Sequence, residues 1–321
     1  MIAPKNKVII AKVMMWLSLL LLAIELFFHI IPHFLPLIFE NVNDVSPNYS
    51  VEHYGTLGDT FGVFNAFFSA LAFGGLVVTL YLQIKEAKKN DLINRFYKML
   101  DFQQNLVNNI SVNPITKDGR VKYPKPINGR KAFVEYKIQL KYLMKTVVEV
   151  SEEGGFNFSE VDIADIAYAV FYYGSSSTWK YFMVEYLRDY EDNERLVDLL
   201  IQKVDANKRF ALNRTNQNYL SVYFRNMYNT IKLIDSSDIL SENEKTTYVK
   251  ILRAQMCNAE LYVLFFNLLS RFGRKWIENS YVERYELIQN LPSKYCDGYN
   301  PKDYFPKIAF EGEERCLSSF H

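Results

Sequence analysis

The sequence contains few of the residues from which most active sites are built. Only four histidines and three cysteines occur among 321 residues. His29, His33 and His53 lie within or between two apolar stretches, so only His321 remains in the rest of the chain. No glycine-rich loop is followed by the Lys-Ser/Thr pair that binds phosphate. Metal sites and Ser-His or Cys-His catalysis need such residues, and we therefore expect no cofactor, no metal and no enzymatic activity.

The chain also has no excess of charge of either sign. The chain has 37 basic and 36 acidic residues and a net charge of +1, which predicts no basic surface and no direct sequence-specific binding of nucleic acid. The cysteines Cys257, Cys296 and Cys316 lack metal-ligand spacing, so free thiols are expected.

One nuclease-like spacing occurs near the end of the chain. Arg315 lies six residues before His321, as in some helical ribonucleases of the HEPN type. The match falls in a segment predicted to be non-helical, and it lacks the polar residue that usually follows the arginine. Short motifs of this kind often arise by chance. The spacing of Arg315 and His321 nevertheless leaves a membrane-tethered nuclease as an alternative.

Two long apolar stretches stand near the N-terminus. Between Val13 and Phe39 the only charged side chain is that of Glu25, and a second stretch runs from Phe61 to Leu82. Each is long enough to cross ~30 Å of hydrocarbon as a helix. A secretory signal peptide would have a shorter apolar core and a small-residue cleavage site. We therefore predict two transmembrane helices in a lipid bilayer.

The charges around these stretches predict their orientation. Lysines precede the first stretch and follow the second, whereas the loop at residues 40–60 has no lysine or arginine. Positive charge is retained on the cytoplasmic side. This pattern predicts a two-pass membrane protein with both termini in the cytoplasm.

The rest of the chain has helical patterns. Apolar residues continue at helical spacing beyond Gln83 without proline or glycine, so the second span is expected to continue into the first cytoplasmic helix. Capping-box pairs begin further helices at Ser159 and Ser241. We predict an all-α protein with a membrane region at residues 1–90, a cytoplasmic helical domain at 91–291 and an irregular tail at 292–321.

Polar and small residues recur at every fourth position of the two spans. The first span has an ionisable stripe, and the second has a groove of small residues that permits close helix packing. The stripe consists of Glu25, His29 and His33, and the groove consists of Gly62, Ala66, Ala70 and Gly74. The groove fits either packing within one monomer or homo-oligomerisation. His33 can alternatively reach the outer interface, which leaves Glu25 unexplained.

A second polar stripe is predicted on one helix of the cytoplasmic domain. Arg253, Glu260 and Asn267 are seven residues apart, and Gln255 and Asn258 form a further pair at helical spacing. Two interpretations remain open. The stripe is either a buried hydrogen-bonded network that orients the helix or a pocket or docking surface for a partner.

Three segments carry a family resemblance. They are "YFRNMYNTIKLID", "YVKILRAQMCNAELYVLFFNLLSRFG" and "YVERYELIQNLP", and they resemble the C-terminal signature of phage abortive-infection proteins of the AbiC type. The segment from "GDTFGVFNAFF" to "FYKMLDFQQNLVNNI" resembles the passage of that family from membrane to cytoplasm. The resemblance adds Arg225 to the five polar positions above, without assigning an activity to any of them.

The resemblance implies antiviral defence in which infection kills or arrests the cell. Related two-span proteins serve as effectors of some retrons, with a reverse transcriptase and its RNA–DNA product as partners. Together with the membrane spans, this favours a non-enzymatic effector that disrupts the inner membrane. A membrane-tethered enzyme such as a nuclease, and a membrane-anchored sensor or scaffold, are the alternatives.

Overall fold

A computed structural model describes Trp16 and residues 51–113, 125–206 and 215–310. The chain divides into two compact units, Met1–Leu80 and Tyr81–His321. The second unit is called the helical domain below. The first predicted span lies outside the described residues apart from Trp16, so the structure does not confirm two spans.

The longest element is helix α1, Val51–Asn109, with 59 residues. It begins at Val51 rather than at the predicted Phe61, so the second half of the predicted outer loop is helical. The stretch between these residues contains no proline to stop the helix. No break occurs at the end of the apolar stretch, as predicted from the uninterrupted helical pattern.

Part of α1 has the length and composition of a membrane span. The segment Asn65–Asn109 contains a window of mean hydropathy 1.8, none of which is buried. Large apolar side chains there are exposed, including Phe67 at 58% and Phe73 at 70%. Within the described residues this is the one helix long and apolar enough to cross a bilayer.

The helical domain adds ten further helices within its described residues. They are α2 (Arg130–Gly154), α3 (Glu160–Tyr173), α4 (Lys180–Tyr186), α5 (Asn193–Ala206), α6 (Gln217–Asp235), α7 (Glu242–Arg253), α8 (Asn258–Leu269), α9 (Arg274–Glu278), α10 (Tyr281–Arg284) and α11 (Pro301–Tyr304). Short 3₁₀ turns lie at Ser177–Trp179, Arg271–Gly273 and Ser293–Tyr295. Strands β1 (Ser111–Val112) and β2 (Ile127–Asn128) form one small antiparallel ladder, with Ser111 opposite Asn128. The predicted all-α class is therefore confirmed for the described part.

Both predicted capping boxes are present. The Ser159 hydroxyl accepts from the Asp162 N–H at the start of α3, and Ser241 pairs with Glu244 in the same way at the start of α7. Each box satisfies two backbone N–H groups that the first turn leaves without partners.

The predicted single helix through the second polar stripe is wrong. The chain leaves helical geometry after Arg253 and starts α8 at Asn258, with Cys257 in an extended conformation before it. Glu260 Oε2 accepts from the Cys257 N–H at 2.7 Å. This cap stabilises a new helix start, so Arg253 and Glu260 lie on different helices.

The core of the helical domain is built around α2, which contacts α3, α5 and α8. The C-terminal end of α1 joins this core through Phe96 and Leu100, and Ile110 follows directly after the helix; each is at most 2% exposed. The predicted C-terminal tail is described as far as Phe310. Its residues Cys296 and Ile308 are fully buried, so this part of the tail packs into the domain.

Candidate functional site: a polar pocket of the helical domain

The structure places the predicted membrane residues as follows. Glu25, His29 and His33 lie outside the described residues. The groove residues Gly62, Ala66, Ala70 and Gly74 lie on α1 and are all exposed. A Cβ atom added at Gly62 or Gly74 would have no described atom within 4 Å.

The residues of the second polar stripe lie in different environments. Arg253 is 8% exposed, and its Nη1 donates to the Glu286 carbonyl at 2.7 Å. Asn267 is 4% exposed, and its Nδ2 donates to the Tyr168 hydroxyl at 3.0 Å. These contacts orient neighbouring segments and agree with the structural interpretation of the stripe.

Two other members of the set line one pocket. Glu260 and Gln255 border a pocket of about 160 Å³. Its remaining lining comes from α1, α2, α6, α7 and the segment that joins α7 to α8: Gln103, Gln104, Val107, Asn108, Arg130, Tyr223, Met227, Leu252 and Met256. Arg225 and Asn258 are exposed and do not belong to this lining. The structure thus supports the pocket interpretation for Gln255 and Glu260.

The Glu260 carboxylate is held at the floor of the pocket. It is 2% exposed. Oε1 accepts from the Tyr223 hydroxyl at 3.3 Å, and Oε2 accepts from the Cys257 N–H at 2.7 Å. Burial, followed by the nearby Glu260 charge, raises the pKa of Tyr223 far above its usual range, so Tyr223 remains a neutral donor. Each carboxylate oxygen has a further lone pair for another donor.

Two amide side chains of the pocket lining each have a polar atom without a hydrogen-bond partner in the described part of the chain. Gln103 is 5% exposed, and its Oε1 accepts from Asn226 Nδ2 at 2.6 Å, while its Nε2 is buried without an acceptor. Gln255 Oε1 is buried without a donor, although its backbone carbonyl accepts from Arg130 Nη2 at 2.7 Å. Buried polar atoms are nearly always hydrogen-bonded, so each of these two atoms can take a polar partner that enters the pocket.

The two described cysteines are free thiols in buried or partly buried surroundings. Within the described residues Cys257 and Cys296 are free thiols, as predicted, and Cys316 lies outside them. Burial raises the pKa of Cys257, and it raises that of Cys296 to about 12. Protonated thiols are poor nucleophiles. No group of three or more possible metal ligands occurs in the described ranges.

Sequence reasoning missed the α1 wall of the pocket. Gln103 follows Phe96 and Leu100 and precedes Val107 on the same helix face, and all four are buried. A glutamine within a buried apolar stripe is the signal that could have identified it. Arg130 could not have been found this way, because its place at the pocket depends on how α2 packs.

A second buried polar group was also missed. Asp165 on α3 is 4% exposed. It accepts from the Tyr186 hydroxyl at 2.5 Å, the Arg271 N–H at 2.8 Å and Arg271 Nε at 2.9 Å. The guanidinium also lies over the Tyr186 ring, 4.5 Å from its centroid. This cluster connects α3, α4 and the turn after α8, and we assign it a structural role.

The geometry defines a helical domain with a polar pocket, built onto a helix that is long and apolar enough to cross a membrane. Residues 215–295 match the model of a family described as "Putative phage abortive infection protein". This match confirms the AbiC-type resemblance over the segment that runs from the start of α6 to the turn before α11. No curated protein matches the chain, and no solved structure matches it.

Proposed function

We propose that this protein defends bacteria against phage by disrupting the inner membrane when its helical domain senses infection. The family match at residues 215–295 supports the defence role. The observation that carries the membrane mechanism is the unbroken helix α1, which contains both an exposed apolar stretch and residues of the polar pocket. A helix without a break transmits a displacement along its length.

The membrane arrangement is part of the same proposal. The first apolar stretch forms a second transmembrane helix, both termini lie in the cytoplasm, and the ionisable stripe of Glu25, His29 and His33 faces a water-filled path. Charged groups in a bilayer turn towards protein or water. Copies of the protein associate through the groove of small residues, since such grooves allow close contact between membrane helices.

The partner is proposed from the resemblance. A reverse transcriptase and its RNA–DNA product, or another component of a defence system, holds the protein inactive until infection. The balanced charge of the chain supports a contact through the partner protein and not through bare nucleic acid. In this scheme the protein itself performs no chemistry.

Substitutions at two adjacent glycines test whether copies of the protein associate through the groove. Gly74 belongs to it, whereas Gly75 lies about 100° further around the helix. Neither position has a described atom within 4 Å of an added Cβ. We expect Gly74→Ile to abolish loss of membrane potential and protection during phage infection, and Gly75→Ile to retain both. Membrane fractionation checks that both variants insert.

The outcomes separate the function classes. Should Gly74→Ile and Gly75→Ile both depolarise infected cells as the unmodified protein does, association through the groove is wrong. Degradation of RNA or DNA in cells whose membranes remain intact would instead favour the membrane-tethered enzyme.

A further inference from the structure

The pocket beside Glu260 has the size of a single ring system. A dry cavity of ~150 Å³ accommodates benzene, and this pocket of about 160 Å³ also has exposed residues at its edge, Gln104, Asn108 and Arg130. Its inner wall contains the buried apolar side chains of Met227 and Leu252. A flat ring can therefore pack against the inner wall while a substituent extends towards the edge.

Its polar atoms require a particular pattern of hydrogen bonds. Each Glu260 oxygen accepts one hydrogen bond and has a further lone pair for a ligand donor. Gln103 Nε2 faces the Tyr223 hydroxyl and has a second hydrogen for a ligand acceptor, and Gln255 Oε1 can accept from a ligand donor. The Tyr223 hydroxyl contacts Glu260 and lies close to the Gln103 side chain, so these groups converge on one region. A complementary ligand therefore has two neighbouring donors for the Glu260 oxygens and an acceptor beside them for Gln103 Nε2. It also has one further donor hydrogen for Gln255 Oε1.

We infer that this pocket binds the guanine base of a free nucleoside or nucleotide. The guanine N1–H and one N2 hydrogen would donate to the two oxygens of Glu260, the other N2 hydrogen to Gln255 Oε1, and O6 would accept from Gln103 Nε2. This arrangement satisfies each of the two unpartnered atoms. The sugar would lie towards Arg130, whose guanidinium is suited to a phosphate group.

Other bases fit this pattern less well. Adenine presents one donor and one acceptor on its Watson–Crick edge, so it would place N1 against a carboxylate oxygen. Uracil would place O2 against the carboxylate, and cytosine would place two acceptors there. Unpaired acceptors that face each other in a buried site reduce affinity, and selectivity for guanine follows.

Isothermal titration calorimetry of the full chain in detergent micelles tests the inference. We expect guanosine to bind with a Kd below about 1 mM and adenosine to show no binding. Inosine lacks the N2 amino group and is expected to bind at least about tenfold more weakly, because the N2 hydrogen bonds to Glu260 and to Gln255 Oε1 are both lost.

Variants of the lining residues provide the second measurement. Gln103→Leu removes the donor to O6 and should weaken guanosine binding about tenfold or more. Gln255→Leu should also weaken guanosine binding. This second variant allows the inference to be tested even if Gln103→Leu does not fold. Asn105→Leu is the matched control, since Asn105 is an exposed amide of the same helix outside the pocket lining.

Several results would overturn the inference. They are no binding of guanosine, equal binding of guanosine and adenosine, unchanged affinity in both lining variants, or binding only of a guanine-containing single-stranded oligonucleotide. The role of the base as an infection signal rests on the proposed function. Binding itself is measured on purified protein, so its failure is distinct from a failure of membrane depolarisation.

Discussion

Removal of the Asp165 carboxylate should be among the most damaging single changes to the helical domain. In Asp165→Ala the Tyr186 hydroxyl and the Arg271 N–H and Nε groups lose their acceptor. Asp165 is 4% exposed, so water does not readily replace it. Removing one partner of a buried ion pair costs ~3–5 kcal/mol. Because the Arg271 side chain is 28% exposed and keeps Asp189 as a partner, we expect about 3 kcal/mol, the lower end of that range, compared with a typical total stability of ~5–15 kcal/mol.

The chain contains a matched control for this change. Asp189 also accepts from Arg271, with its Oδ2 at 2.9 Å from Nη1, but its side chain is 71% exposed. Exposed ion pairs contribute at most about 1 kcal/mol. Asp189→Ala should therefore have a small effect, although it removes the same type of residue from the same arginine.

Denaturant unfolding of the full chain in detergent micelles, followed by circular dichroism, measures both variants. A double-mutant cycle with Arg271→Ala isolates the Asp165–Arg271 coupling. If Asp165→Ala destabilised the protein no more than Asp189→Ala does, burial would not set the strength of this contact and the argument would be refuted.

Two further predictions concern acid stability and topology. A hydrogen bond from Lys89, followed by the capping contacts with Ser241, lowers the pKa of Glu244 from 4.5 to about 2. A lowered folded-state pKa stabilises the protein above the unfolded-state value, and this contribution is lost as the pH falls from about 4.5 to about 2. Because the pair is partly exposed, at 26% and 29%, we expect a loss of only about 1 kcal/mol. Unfolding measured across this pH range should show a smaller loss for Glu244→Gln, and an identical pH profile would contradict the assignment. For topology, a reporter that is active only outside the cytoplasm should work near Asn48 and fail after His321, and the reverse pattern would contradict the proposed orientation.

Local patterns predicted the elements of this protein well. The capping boxes at Ser159 and Ser241 involve residues three positions apart, so the sequence contains all of the interaction. The continuity of α1 likewise depends on the absence of proline over a stretch of neighbouring residues. Such features are readable because the interacting groups are close in the chain.

The polar stripe shows where this kind of prediction fails. A spacing of seven residues predicts a shared face only if the helix is continuous, and the cap that Glu260 provides for α8 interrupts it after Arg253. Arg253, Glu260 and Asn267 are all below 9% exposure, but they do not share one helix face, because Arg253 lies on α7 and the other two lie on α8.

The sequence by itself determined that the protein is helical, that it has stretches able to cross a membrane and that it resembles abortive-infection proteins over its C-terminal part. Only the tertiary structure decided that Gln103 meets Asn226, that Asp165 meets Arg271, and that Gln103, Gln255 and Glu260 line one pocket. Helix formation follows from hydrogen bonds and apolar spacing within a few residues. Those other contacts join residues more than a hundred positions apart, apart from the neighbouring pair Gln255 and Glu260, and their geometry depends on how every intervening helix packs into the shared core.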